Sequence, residues 1–318
     1  MIRFLVDPDP DRIPLLFGFA PPKLANDEAK TRRITERRLE RIGAMRIDGL
    51  VLYDVQDESD RTDADRPFSY LPPIDPLRYL RDYLQAPAIG DLPRIVYRAV
   101  ARQTAPQLRT FLTALDPAIE AAVLVGAPSR DASMVTSLRD AYALHRSATP
   151  DLPLGGVTIP ERHAGKGDEH LRLVAKIDSG CTFFVTQCIY DAEAARNMLS
   201  DYIYHLRDTG VRPARVILTL SPCGSRQTIT FMKWLGIRFP HWLENDLEHS
   251  QDILARSLDA CSRIAGELAI FCRERSIPFG FNVESVSIRR SEIEAAGELV
   301  GRLEQYRVDA SAPIDDRR

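Results

Sequence analysis

Eight short β-rich runs alternate with longer amphipathic stretches along this chain, and that alternation restricts the fold more than any other feature. The runs are residues 15–20 (LLFGFA), 49–53 (GLVLY), 94–100 (RIVYRAV), 121–125 (AAVLV), 154–159 (LGGVTI), 183–187 (FFVTQ), 215–220 (RVILTL) and 279–284 (FGFNVE). Most are continuously apolar rather than two-faced, which is what a parallel strand covered on both sides requires. Residues 25–42, 136–145, 171–177, 192–206, 228–235 and 253–271 lie between them with apolar side chains at helical spacing, as Ile34, Leu39 and Ile42 show. Eight βα units in 318 residues predict an α/β fold, a single closed (β/α)8 TIM-type barrel. An open Rossmann-like sheet is the weaker alternative. It wants G-x-G-x-x-G after the first strand, where Phe19-Ala20-Pro21-Pro22-Lys23 stands. The Asp- and Pro-rich residues 54–76 read as a long β2–α2 loop, and long loops in compact barrels are often functional. The division expected is an N-terminal segment (1–14), the barrel domain (15–305) and a flexible C-terminal tail (306–318).

Charge and cysteine usage exclude several function classes. There are 42 Lys and Arg against 45 Asp and Glu, a formal charge of −3, so nothing favours nucleic acid or an anionic membrane as partner. No apolar run approaches the roughly 18–20 residues of a membrane span, and the acidic, Pro-containing start is unlike a secretory signal. A cytoplasmic protein is expected. The 5 cysteines contain no C-x-x-C pair. Among the 6 histidines there is no H-E-x-x-H, and His163 and His170 lie seven residues apart. Neither a disulfide framework nor a metal site is expected. The sequence leaves the oligomeric state open.

In such a barrel the active site lies at the C-terminal ends of the strands. Those ends hold Pro21-Pro22-Lys23, then Tyr53, Asp54, Asp57 and Glu58, then Tyr97-Arg98, and Gly126-Ala127-Pro128-Ser129. Glu161 and His163, Gln187, Ser221 and Cys223, and finally Asn282 and Glu284 complete the ring. An amide such as Gln187 at the end of an apolar strand either binds a ligand or satisfies a neighbouring loop. A carboxylate such as Glu284 is costly there unless paired or wet. It pairs with an arginine such as Arg98, or it acts in catalysis. Asp54, Asp57 and Glu58 form either a solvated cluster or a substrate contact. Pro21 and Pro22 shape the first turn, His163 is a loop cap or a cofactor contact, and Cys181 and Cys188 are packing residues.

These strand ends also carry a resemblance. Phe17-Gly18-Phe19-Ala20-Pro21-Pro22-Lys23 resembles the first-strand F-E-F-F-P-P-[KR] of methylenetetrahydrofolate reductases. Ile159-Pro160-Glu161-Arg162-His163 is similar to their Y-P-E-x-H, and Leu171-x4-Lys176-Ile177-Asp178-Ser179-Gly180 to their L-x4-K-x-D-A-G. Thr186-Gln187-Cys188-Ile189-Tyr190-Asp191 looks like T-Q-x-x-[FY]-D, and residues 215–220 with Gly236-Ile237-Arg238-Phe239-Pro240 look like I-L-P … V-R-I-P. The ordered series spans about residues 15–303 and is densest over 155–191. The departures fall on function. The family's catalytic Glu is Gly18, its R-G-D after strand four is Val125-Gly126-Ala127, and its strand-three flavin-contacting His falls near Tyr97. Its Asn and Arg flavin contacts fall on Arg172 and Ala175, while Glu161, His163 and Lys176 are kept. Residues 125–128 and 278–284 look more like the flavin-independent branch, which passes hydride directly from nicotinamide to folate.

The resemblance implies an oxidoreductase interconverting 5,10-methylene- and 5-methyltetrahydrofolate with NAD(P)H, a small-molecule folate being the partner. FAD is possible, although several family contacts to it are missing. Gln187 matches the pterin contact, and Tyr53, Asp54 and Asn282 join it as expected substrate residues. Tyr97, Glu161, His163, Arg172 and Lys176 are the expected cofactor residues. With Gly18 unable to donate a proton, Glu284 is the expected replacement acid, because strand eight closes beside strand one; Asp57 and Glu58 are second choice. The alternatives are another folate-dependent reaction, such as methyl transfer, or an inactive folate-binding homologue.

Overall fold

Every residue of β1 (Leu15–Phe19), β2 (Gly49–Leu52) and β7 (Arg215–Leu220) is buried, the mark of strands covered on both faces. The computed structural model describes residues 2–58, 64–85, 87–127 and 134–307. Together with β3 (Arg94–Ala99), β4 (Glu120–Val125), β5 (Leu154–Thr158), β6 (Phe183–Cys188) and β8 (Phe279–Glu284), these strands pair in parallel in chain order. The ring closes through β1 and β8, giving the expected (β/α)8 barrel. All eight strand runs lie where their apolar character placed them, within a residue or two at each end.

The helices are α1 (Arg3–Val6), α2 (Glu28–Gly43), α3 (Pro76–Asp82), α4 (Ala105–Thr113), α5 (Leu138–Ala148) and α6 (Pro160–Lys166). They continue with α7 (Glu169–Asp178), α8 (Ala192–Thr209), α9 (Arg226–Trp234), α10 (His241–Glu248), α11 (Ile253–Glu274) and α12 (Arg290–Leu303). Asp27, Thr104, Ser137, Asp191, Ser225 and Asp252 each cap a helix by accepting a first-turn N–H. Among the described residues no helix is long and apolar enough to cross a membrane. The connection after β2 ends at Asp75, the N-cap of α3, so Pro76 opens a helix rather than closing a loop. Pro128 and Ser129, part of the fourth strand end, and residues 308–318 of the expected tail lie outside the described residues. Arg307, the last described residue, donates to Asp48 (2.8 Å) and to the Arg46 carbonyl (3.0 Å).

Two layers share the apolar load. Outward side chains such as Phe279, Phe281 and Val283 pack under the helices, while Leu16, Val51, Ile95, Val123, Phe183, Val185 and Ile217 fill the interior. Filling is close: a Cβ on Gly155 would lie 2.4 Å from the Phe183 ring, so only glycine fits opposite that phenylalanine. The interior cluster also includes Ile2, Phe4 and Leu5, so the N-terminal segment packs against the barrel interior. Arg215, with no exposed surface, holds the segment. It donates to the carbonyls of Phe4 (2.7 Å), Asp9 (2.7 Å), Arg12 (2.6 Å) and Phe279 (2.6 Å). Burial lowers its pKa to about 10, which still leaves it charged at neutral pH.

Replacing Arg215 by Met keeps the bulk and removes the donors from these carbonyls. Each buried acceptor left bare costs ~1–3 kcal/mol, so Arg215→Met should lower unfolding free energy by at least about 3 kcal/mol and open the first fourteen residues to protease. Denaturant titration checks this; a loss under ~1 kcal/mol would mean that water takes over the carbonyls.

Candidate functional site

Above the apolar layers the inward positions turn polar. The register sets Gly18 of β1 beside Glu284 of β8. A Cβ on Gly18 would stand 2.8 Å from a Tyr53 ring carbon, 2.9 Å from its hydroxyl and 3.0 Å from Asn282 Oδ1. The room a side chain at position 18 needs is thus taken by Tyr53. The Tyr53 hydroxyl accepts from Asn282 Nδ2 (2.7 Å), which also donates to Thr219 Oγ1 (3.3 Å). The ring of Tyr97 meets that of Tyr53 edge-on at 4.9 Å.

Glu284 lies against this network. Burial pushes its carboxyl up to about 7, and a hydrogen bond with the Tyr53 hydroxyl opposes the shift. Burial and the neighbouring Glu284 push both the Tyr53 and Tyr97 phenols far up, so both stay protonated donors. Arg98 is not the partner of Glu284. Alternation along β3 turns Tyr97 inward and Arg98 outward, where it pairs with Asp75 at 2.5 Å and lies over the Phe111 ring.

Two further strand ends carry polar groups with unused capacity. Gln187 sits within an irregularity between Val185 and Cys188; its Nε2 donates to the Leu235 carbonyl (2.7 Å), and its Oε1 is buried without a partner. Glu161, in the first turn of α6, is raised to about 7, chiefly by burial, and its Oε2 is also unpartnered. Asn282 Oδ1 is a third buried acceptor without a donor. Asp54 is engaged on both oxygens, with the Ala99 N–H at 2.8 Å and Gln56 Nε2 at 2.7 Å; it fixes the loop to the end of β3. Asp57 is exposed and Glu58 half-buried on the same loop.

That loop reaches α9. Trp234 Nε1 donates to the Ala64 carbonyl (3.0 Å), the Phe68 and Phe231 rings meet edge-on at 5.2 Å, and the Arg66 guanidinium lies over Tyr70, Phe231 and Trp234. Thr219, Arg66, Phe231 and Trp234 were not expected here. Counting inward positions along β7 from Ile217 finds Thr219; no spacing signal links residues 64–70 to α9.

The structure brings Tyr53, Tyr97, Asn282 and Glu284 together and sets Gln187 and Glu161 at other strand ends. It does not bring in His163, Arg172 or Lys176. His163 bonds Asp201 of α8 (3.1 Å), and Arg172 pairs with Asp168 and Glu169. Lys176 donates to the Val157 carbonyl, with its stem beside Gly156.

Comparison with solved structures places the chain. It is 40% identical to an uncharacterized protein from Clostridium thermocellum that binds two copies of 5-methyl-5,6,7,8-tetrahydrofolic acid, with a TM-score of 0.82 over 95% of this chain and 98% of that one. The chain belongs to that protein's family. No protein-family model matches, and no curated protein matches either. Oxaloacetate acetylhydrolase (15% identity, TM-score 0.47, 98% of this chain and 90% of that one) is far more distant. So is 2,3-dimethylmalate lyase (16%, 0.40, 97% and 96%). Likeness at that level says nothing about chemistry.

The carboxyl of Glu284 ionises near 4.5 ordinarily and near 7 in the fold. A raised carboxyl stabilises the fold fully below the lower value and loses that contribution as pH rises through the upper one. Between pH 4 and 8 the parent should therefore lose about 3 kcal/mol more stability than Glu284→Gln, whose amide does not titrate. Urea midpoints across that range check it; parallel curves for the two proteins would place Glu284 in water.

Proposed function

We propose that this chain binds a reduced folate at the barrel mouth and interconverts 5,10-methylene- and 5-methyltetrahydrofolate, with NAD(P)H as the hydride-carrying co-substrate. The observation that carries the reading is Glu284, a carboxyl raised to about 7 and in register with Gly18, where the resembling reductases hold their acid. Kinship with a protein that binds 5-methyl-5,6,7,8-tetrahydrofolic acid supports the folate part.

The chemistry follows from the groups in place. A pterin edge is rich in N–H donors, and Gln187 Oε1 and Asn282 Oδ1 are buried acceptors lacking donors. Tyr53 and Tyr97 offer flat apolar faces with protonated hydroxyls. In the reductive direction Glu284 gives its proton to the bridge nitrogen, the C–N bond opens to an iminium, and hydride from NAD(P)H adds to that carbon, giving 5-methyltetrahydrofolate and NAD(P)+. The reverse reaction returns the proton to Glu284. Such proton transfer contributes about 10²–10⁴ in rate. Tyr53 orients the carboxyl through its hydroxyl, and Asn282 orients Tyr53.

A flavin does not fit the residues that the resemblance assigns to it. His163 and Arg172 are bonded within the helical layer, Lys176 holds the β5 backbone, and Val125-Gly126-Ala127 offers no charged side chain. No step is derived through it. The protein should purify colourless and release no flavin on denaturation; stoichiometric FAD would mean that Glu161 and backbone groups suffice.

Two substitutions divide binding from chemistry. Gln187→Ala should weaken 5-methyltetrahydrofolate binding by about 5- to 150-fold in calorimetry, the effect of ~1–3 kcal/mol from a lost buried partner. Glu284→Gln should lower NAD(P)H turnover with methylenetetrahydrofolate at least about tenfold with little change in affinity, and the parent's reductive rate should fall as pH rises past about 7. A parent that binds 5-methyltetrahydrofolate yet turns over no NAD(P)H would replace hydride transfer by methyl transfer or plain binding. Loss of turnover in Asp57→Asn or Glu58→Gln, but not in Glu284→Gln, would move the acid to the loop.

A further inference from the structure

In the helical layer, three helices bring together imidazole and carboxylate groups that the proposed reaction does not use. His163 of α6, His170 of α7 and Asp201 of α8 each place one ligand atom within 4.8 Å of the other two. His163 is only 6% exposed. Its Nε2 lies 3.1 Å from Asp201 Oδ2, and its ring meets that of His170 edge-on at 5.4 Å. His205, one helical turn beyond Asp201 on α8, stands edge-on to His170 at 5.8 Å. The Nδ1 atoms of His163 and His170 are both buried without a hydrogen-bond partner. An imidazole offers a metal ion the lone pair of one ring nitrogen while the other keeps its proton.

We propose that His163, His170 and Asp201 bind a divalent transition-metal ion of the zinc class, with His205 standing beside the site. Two imidazoles and a carboxylate, with no cysteine, suit zinc, nickel, cobalt or copper, whereas magnesium and calcium prefer all-oxygen sets. Tetrahedral ligation at ~2.0–2.2 Å sets ligand atoms about 3.4 Å apart, which asks for small side-chain rotations from the 4.8 Å spread. Asp201, 55% exposed, has the freedom to make one. The ion ties together α6, α7 and α8, the helices flanking the strand ends that carry Glu161 and Gln187. This site stands apart from the proposed folate reaction and does not rest on it.

Zinc chloride titrated by calorimetry into chelator-treated full-length protein tests the proposal. One equivalent should bind, magnesium should not compete, and cobalt should give the d–d absorption of a low-coordinate site. His170→Ala and Asp201→Asn should each weaken zinc binding at least tenfold. Zinc at a hundredfold excess over its dissociation constant should raise the parent's melting temperature by about 4 °C, and that of Asp201→Asn much less. Asp201→Asn alters an exposed helix position, so its fold survives even if that of His170→Ala does not. A parent that takes up no zinc, or an Asp201→Asn protein that binds and is stabilised like the parent, overturns the site.

Discussion

An eight-stranded parallel barrel is just wide enough inside to be filled by its own side chains, and the inward residues described here divide into apolar filler and the polar groups at the mouth. The lower layers are apolar and tight enough that Phe183 requires glycine opposite it. Arg215 makes the N-terminal segment part of this filling, by giving its donors to carbonyls of that segment and of β8. Ile2, Phe4 and Leu5 then join the interior cluster. The consequence is felt at the other end. A carboxyl held near 7 needs a dry surround, and Glu284 stands above a core that the plug helps to keep closed.

The strands were legible because burial on both faces leaves continuous apolar runs, a signal that survives without any partner being known. Helices α3, α4 and α6 were not, since at 7, 9 and 7 residues each is too short to set up a clear helical period. The short α1 looked like an appendage because its packing surface is the barrel interior, reached through Arg215, more than two hundred residues away. Backbone carbonyls carry no sequence signature, so the grip of Arg215 on them is invisible before the fold is known.

At the site, the neighbourhood of Gly18 and Glu284 follows from barrel closure alone, because β8 must return beside β1. What fills the space above Gly18 does not follow. Tyr53 enters it from β2, and its hydroxyl ties Asn282 and Glu284 into one network. Arg98 failed as a partner for Glu284 through alternation, one residue from an inward tyrosine. The histidine cluster escaped spacing analysis because its members lie on three helices, and only packing brings His163, His170 and Asp201 together.

Two carboxyls near the barrel mouth are raised to about 7, and position separates their parts. Glu161 starts α6, within reach of the Arg238 N–H and near Asp191, at the rim of strands five and six. Glu284 projects from the strand itself, cross-strand from the glycine and against two protonated tyrosines. In the proposed reaction the donor must meet the bridge nitrogen above the barrel axis while remaining shielded from water, and an inward strand position satisfies both demands better than a helix start at the rim. In the proposed reaction the acid stands on β8, one strand from Gly18, and the Tyr53 ring occupies the space a side chain at position 18 would need. The Glu284 carboxyl, the Tyr53 hydroxyl and the filled gap above Gly18 are thus one coupled arrangement, because the Tyr53 side chain that fills the gap is also the one that meets the carboxyl.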